Sequence, residues 1–421
     1  MKKLCTVLVA VLLAALVLTT AMAAEEPMRM TWWGSESSNK IYLGVSDMFS
    51  QELGIEVENE YLSWDDYWTK LNTLAAANDL PDSLRMDLAY IKSYVDKGLL
   101  MDLTELVEKG LIDLSDVPES AISGGMFNGG LYAINAGSNS IGMLYNVKMI
   151  TDAGMEVPGH EMTWAEFEQF VLDFYAKTGI YGSDLWGLRD YNGTFRAYVR
   201  SNGGELYNEA QDNLGFEQQI LVDYLTSIKR LHDAGAVQNV SEITVDVGRE
   251  NQPYSKGQAA SITTTTDSGT TYYSMVKDAF GPSVLRIIPG SAANKGMWVK
   301  PSQFMAIAKD AEHVEEAAAY INYWTNSESC NEFISGRRGV PISNKMAAFV
   351  GSKLDEASKM TFDYMVEMAA YASELYAPDP IAHSEVDAEF STTFQSVLFG
   401  EMTPEEGAKH FFEFAAKVLG E

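Results

Sequence analysis

The chain is 421 residues long, with a formal net charge of −29, five histidines and two cysteines. Such an acidic surface repels nucleic-acid phosphates and anionic membranes but leaves uncharged solutes, sugars among them, open as ligands. A polyanionic ligand would need a local basic pocket, and the first consequence of the acidity is solubility.

Residues 1–23 read as a secretory signal peptide. Lys2 and Lys3 precede an apolar run to about Leu18, and Ala21-Met22-Ala23 places small residues at the cleavage positions. The run is shorter than the roughly 20 residues of a spanning helix. Cys5 lies ahead of the apolar core rather than at the cleavage point, where a lipoprotein carries its acylated cysteine. Cleavage near Ala23 removes two lysines, so the mature charge is −31 (−29 minus 2). Cys330 then remains alone, with no partner for an internal disulfide. An exported chain without disulfides depends on a large core, and its length predicts two or three domains. A Gram-negative periplasm is the simplest location for an unlipidated product.

In chain order, Met28 to Trp33 reads as a short strand ended by Gly34. Asn39 to Leu53 has helical spacing, with Ile41, Val45, Met48 and Phe49 on one face. Ile55 to Tyr61 alternates as a strand, and Trp64 to Asn78 is again helical. Pro81-Asp82 breaks that helix; Ser83 to Asp87 is a strand and Tyr90 to Lys97 a helix stopped by Gly98. The alternation gives an α/β class. Gly124 to Ile134 reads as a hairpin turned at Asn128-Gly129 rather than a phosphate loop, since no lysine follows and no helix opens there. Asn139 to Asn146 is a further strand. Helices are expected at Trp164 to Lys177, Phe216 to Ala234, Val314 to Asn326, Lys353 to Leu375 and Pro404 to Leu419. No repeat and no linker-like run is visible, so the domains must pack together or be crossed more than once by the chain.

No catalytic signature stands out. His160, His232, His313, His383 and His410 have no metal-ligand spacing, and one mature cysteine cannot build a cysteine-based zinc site. Neither a G-x-S-x-G elbow, a P-loop nor a dinucleotide fingerprint is present. His383-Ser384-Glu385 carries little weight, because a triad is assembled in space and not from consecutive residues. With 59 acids, any choice of a glycosidase-like carboxylate pair is arbitrary. Neither a cofactor nor a metal is expected.

Several blocks, in order, resemble the extracellular solute-binding proteins (family 1 type) that feed sugars to ABC importers. They are Trp32-Trp33-Gly34; Trp64-Asp65-Asp66-Tyr67 with Lys70-Leu71; Pro81-Asp82, Met86-Asp87 and Gly98-Leu99-Leu100-Met101-Asp102-Leu103. Tyr132-Ala133-Ile134 to Leu144-Tyr145-Asn146, Ala153-Gly154, and Thr163-Trp164-Ala165-Glu166-Phe167 follow. Lys300-Pro301-Ser302, Ile307, Lys309, Glu315-Glu316-Ala317-Ala318 and Arg338-Gly339-Val340-Pro341 complete the set. The resemblance implies a two-lobed periplasmic-binding-protein-like fold (type II) that closes on one ligand by hinge motion. It implies an N-terminal lobe of residues 24–135 and 300–336, and a C-terminal lobe of residues 136–299 and 337–421. The chain would cross near Asn135–Gly137, Trp298–Gln303 and Gly336–Ser343. The implied role is a monomeric receptor that performs no reaction, takes a carbohydrate and delivers it to ABC permease subunits. Two other readings stay open: the same fold with a polyamine or peptide cargo, and a secreted glycoside-active enzyme.

A sugar ring offers apolar faces and a rim of hydroxyls, so a site needs flat aromatics beside carboxylates, amides or guanidinium groups. Ligands of open α/β sheets sit at the carboxyl ends of the strands. Trp33, Glu36 and Ser37 are therefore candidates, with Trp32 turned inward by strand alternation. Relatives often carry Arg or His after the Gly of this loop, where this chain has Ser37-Ser38-Asn39-Lys40. Trp64 and Asp65 open a helix, and Asp65 serves equally well as a helix cap. Asp87 ends a strand and is the leading polar candidate; Asn139 lies in the crossing segment. Trp186, Tyr191 and Asn192 occupy a Gly-rich loop, Thr265 and Asp267 follow a strand, and Trp298 adjoins a hinge. Arg338 either binds ligand or pairs with an acid, with the balance toward pairing. Trp68, Trp164 and Trp324 fall on helix faces as core residues.

Overall fold

Strand alternation sets the first sheet. In Met28–Trp33 the side chains of Met28, Met30 and Trp32 are buried on one face, while Trp33 turns to the other and stays half-buried. The computed structural model describes residues 26–34, 36–243, 248–380 and 382–420, with Ser37 and Asp65 by backbone alone. The signal-peptide reading of residues 1–23 lies outside the described residues.

Met28–Trp33 runs parallel to Val57–Leu62, in register from Met28↔Val57 to Trp33↔Leu62, and parallel to Ser83–Met86. Phe304–Ile307 then adds antiparallel to Ser83–Met86, and Ile134–Asn135 closes the five-stranded order. A strand from residue 304 inside a sheet begun at residue 28 means that the chain leaves this body and returns. Successive residues of Phe304–Ile307 serve opposite faces. Met305 and Ile307 pack with helices Glu36–Leu53 and Val314–Asn326; Phe304 and Ala306 pack with Tyr67, Trp68 and Leu71 of Trp64–Ala77 and with Ile91 and Tyr94 of Leu88–Asp96.

The second body is built on Ile141–Asn146, buried along its whole length and flanked by antiparallel Ser261–Thr265 and Ser283–Arg286. Helices Trp164–Thr178, Gln218–Asp233, His383–Phe399 and Pro404–Leu419 enclose the largest apolar core. A strand buried on both faces reads as a continuous apolar run, as Ile141–Asn146 does.

Three segments join the two bodies and lie side by side. Ser138 and Asn139 pair antiparallel with Pro301 and Lys300, and Ser138 also bridges Val340. Ser138 N donates to Val340 O at 2.7 Å, and Val340 N donates back to Ser138 O at 2.9 Å. Gly137 is required here: an added Cβ would lie 2.2 Å from Arg338 O.

Local differences from the expected elements have identifiable causes. The strand expected at Asn139 to Asn146 breaks at Ser140, whose Oγ donates to Trp298 O at 2.8 Å, so the chain changes sheets there. The helix expected from Lys353 to Leu375 is Glu356–Met368; Ala372 and Ser373 pair instead with Met297 and Trp298. Trp186 to Asn192 is no Gly-rich loop. Leu185–Leu188 is a helical turn capped by Asp184, and Tyr191–Phe195 is a π-turn capped by Asp190. The helix beginning at Trp64 is capped by Ser63 rather than Asp65.

Candidate functional site

Two pockets open between the bodies. The first holds about 380 Å³ and is walled by Asn139, Ser302 and Arg338 of the connecting segments and by Asp267, Thr270 and Phe362 of the second body. Asn139, Asp267 and Arg338, far apart in sequence, are thus brought together. Asn139 Oδ1 accepts from Thr266 Oγ1 at 3.4 Å, and the Thr270 and Thr361 hydroxyls lie 3.0 Å apart. Asp267 is exposed in the first turn of Thr266–Phe280.

Arg338 makes no ion pair among the described residues, which overturns its expected pairing with an acid. Its guanidinium lies 5.1 Å from the Tyr42 ring centroid, and its Nε is buried without a hydrogen-bond partner, as is Ser302 Oγ. Tyr42 OH donates to Gln303 Oε1, and the Tyr42 ring stacks on Trp324 at 5.5 Å. Trp324 Nε1 donates to Ala136 O at 2.7 Å. Fully buried Arg85 lies over both rings, 4.8 Å from Tyr42 and 4.2 Å from Trp324. The Tyr42–Trp324 pair therefore touches all three connecting segments, through Ala136, Gln303 and Arg338. Cation–π contacts at this depth are worth about 2 kcal/mol when desolvated.

The second pocket holds about 610 Å³ between Leu88 and Phe127 of the first body and Leu375, Tyr376 and Pro378 of the second. Arg196 holds its far wall, lying 3.6 Å from the Tyr376 ring centroid and pairing with Asp379 at 2.7 Å. Arg200 donates to Glu374 O at 2.6 Å. Burial pushes the Arg200 guanidinium below its ordinary value, against the opposing pull of Glu205. His383 stands behind this wall, 2.6 Å from Tyr207 OH; burial lowers its pKa from 6.5 although Asp379 pulls upward.

The first-body candidates lie at the carboxyl ends of their strands. Trp33 joins an aromatic cluster with Trp64, Tyr67 and Trp68 at centroid distances of 5.1–5.4 Å. Trp64 is 40% exposed there, whereas Trp68 is buried and stacks on Tyr90 at 3.9 Å. Asp87 caps Leu88–Asp96, accepting from Ala89 N at 2.9 Å beside pocket-lining Leu88. Glu36 is exposed and pairs with Lys40 at 2.8 Å. The side chains of Ser37 and Asp65 lie outside the described residues.

Trp33, Glu36, Trp64 and Asp87 do not line either pocket, and neither do Tyr191, Trp298, Trp186, Asn192 and Thr265. Tyr191 is core, packed against Phe195, Phe390 and Phe411, and with Trp186 it borders a separate cavity within the second body. Trp298 is likewise buried, edge-on to Tyr376 at 5.5 Å, and supports the wall from behind. Trp186 is covered by Arg189 at 4.5 Å, and Asn192 donates to Asp387 at 3.2 Å; both belong to the second body alone. Thr265 is exposed and bonds Ser268 at 3.0 Å.

Tyr376, Leu88, Phe127, Ser302 and Thr270 line the pockets without having been site candidates from the sequence. Pro378 and Pro380 were a usable signal for the wall, since they forbid the helix read up to Leu375 from continuing as a surface helix. Among the described residues no group of three or more His, Cys, Asp or Glu is placed to hold a metal, and no helix is long and apolar enough to cross a membrane.

Comparison with known proteins agrees with this architecture. A carbohydrate ABC transporter substrate-binding protein of Streptococcus pneumoniae serotype 4 is 24% identical over 131 residues; the match spans 30% of this chain and 26% of that relative. A family 1 extracellular solute-binding protein from Alicyclobacillus acidocaldarius superposes with a TM-score of 0.86 at 24% identity, covering 94% of this chain and 100% of the other. A periplasmic oligogalacturonide-binding protein from Yersinia enterocolitica gives 0.76 at 21% identity, covering 94% and 99%. These likenesses establish the two-lobed α/β fold. The model of the family described as bacterial extracellular solute-binding protein matches residues 45–361, more than half of the chain. The chain therefore belongs to the bacterial extracellular solute-binding proteins.

Proposed function

We propose that this protein is the receptor of an ABC importer, holding a mono- or oligosaccharide between its lobes and delivering it to the membrane permease. The observation that carries the reading is a pair of pockets where the bodies meet, one walled by both bodies and the other by the connecting segments and the second body. Their volumes lie in the range of small-molecule sites, about 300–1,000 Å³. The exposed Trp64 beside Trp33 offers a flat apolar surface, and Asp87, Asn139, Asp267 and Arg338 offer the polar groups a hydroxylated ring needs.

On this reading the lobes are residues 24–135 with 300–336 and residues 136–299 with 337–421, and residues 1–23 are removed on export to the periplasm. The protein works as a monomer and performs no reaction. A carbohydrate relative supports the cargo class, although it matches over only 30% of this chain.

The experiment is a melting-temperature screen of residues 24–421 with mono- and oligosaccharides, polyamines and peptides, followed by product analysis. Bound solute stabilises by about RT ln(1 + [L]/Kd), near 2.7 kcal/mol at a hundredfold excess over Kd. We expect one sugar class to raise the midpoint by several degrees and to be recovered intact. A shift with polyamines alone would replace the cargo, and breakdown of the sugar would overturn the receptor assignment.

A further inference from the structure

The charge of the 380 Å³ pocket runs against that of the chain. The protein carries 59 acidic and 30 basic residues, yet this pocket is walled by Arg337, Arg338 and a single carboxylate, Asp267. Arg337 is occupied: its Nε donates to Ile334 O at 2.9 Å and its Nη2 to Phe333 O. Arg338 is not. It has no carboxylate partner among the described residues, and its buried Nε and the neighbouring Ser302 Oγ are both without hydrogen-bond partners.

A half-buried cation without a carboxylate partner among the described residues is costly unless an anion completes it. Planar guanidinium groups suit carboxylates in geometry as well as in charge. Asp267 and Asn139 face the same space and would repel a simple anion in part, but they accept hydroxyl protons well. Phe362 adds a flat apolar wall. A ligand matching all of these bears one carboxylate and several hydroxyls on a ring.

We propose that the solute is an acidic saccharide, a uronate disaccharide in size, with its carboxylate on Arg338 and Ser302 and its hydroxyls on Asp267 and Asn139. This deepens the receptor reading and rests on it.

The test is calorimetric titration of the mature protein with a galacturonate disaccharide and with its methyl ester, which removes the charge and little else. Charge-assisted hydrogen bonds predict that the free acid binds about 10- to 100-fold more tightly than the ester. Arg338→Gln should remove that difference, and Arg338→Lys should restore part of it, keeping charge but not the planar fork. Equal affinity for acid and ester in the unmodified protein overturns the proposal without any variant needing to fold. Equal acid preference in Arg338→Gln also overturns it. If neutral sugars bind and the acid does not, the receptor reading survives and this inference fails. If no saccharide of either kind binds, the receptor reading itself falls.

Discussion

Trp32 and Trp33 are neighbours in sequence and lie in different environments. Strand alternation sends Trp32 into the core, where its Nε1 donates to Asn39 Oδ1 at 3.0 Å, and leaves Trp33 beside exposed Trp64. That much followed from the period of two. The fate of Arg338 did not, since no local pattern says which of 59 acids a given arginine meets. His383 shows the same limit. Its sequence neighbours Ser384 and Glu385 suggested chemistry, but its spatial partners are Tyr207 and Asp379. Its pKa is lowered by burial, so the folded state prefers the neutral ring. A depressed folded pKa gives stability that is complete above the ordinary value of 6.5 and lost as pH falls through the folded value. We expect the melting temperature to decline between pH 7 and pH 5 less steeply in His383→Gln than in the unmodified protein. Parallel slopes in a buffer-matched thermal series would exclude this role.

Among the elements, the best-read ones were long helices with apolar periodicity, such as Val314–Asn326, and the hairpin turned at Asn128-Gly129. Both central residues of that turn have positive φ, 51° and 84°, as its sequence demands. The helix expected through Leu375 ended early because a parallel pairing with Met297–Trp298 outweighed its propensity. Caps carry information that apolar period alone does not. Ser343 caps Asn344–Gly351 by accepting from Met346 N at 3.3 Å and also donates to Asp116 Oδ2 at 2.9 Å. Ser343→Ala loses both bonds in a buried setting. It should cost about 1–2 kcal/mol, a fall of about 2–4 °C for each kcal/mol. Differential scanning calorimetry reads it directly, and an unchanged midpoint would show the cap to be idle.

Across the whole molecule, three connecting segments touch one another and one aromatic pair. Tyr42 and Trp324 reach Gln303, Ala136 and Arg338, so the connecting segments are anchored in the core of the first body. Gly137 marks the tightest approach of two of these segments. Gly137→Ala must displace Arg338 backbone rather than a flexible side chain, an overpacking cost of about 1–3 kcal/mol. We expect lower stability together with a smaller ligand-induced contraction in small-angle X-ray scattering. A variant that contracts fully would show that the segments move independently of this contact.

Periodicity, turn chemistry and the order of short motifs were enough to give the α/β class, most elements and the two-lobed resemblance. These are local signals, because neighbouring residues along a strand or helix face are fixed by backbone geometry. Tertiary structure alone decided that Asn139, Asp267 and Arg338 share a pocket, that Tyr191 and Trp298 lie in the core, and that the Tyr376 segment forms a wall. Those outcomes depend on where the chain crosses between lobes. The crossings bring together residues far apart in sequence, whose contacts no periodicity within a single element records.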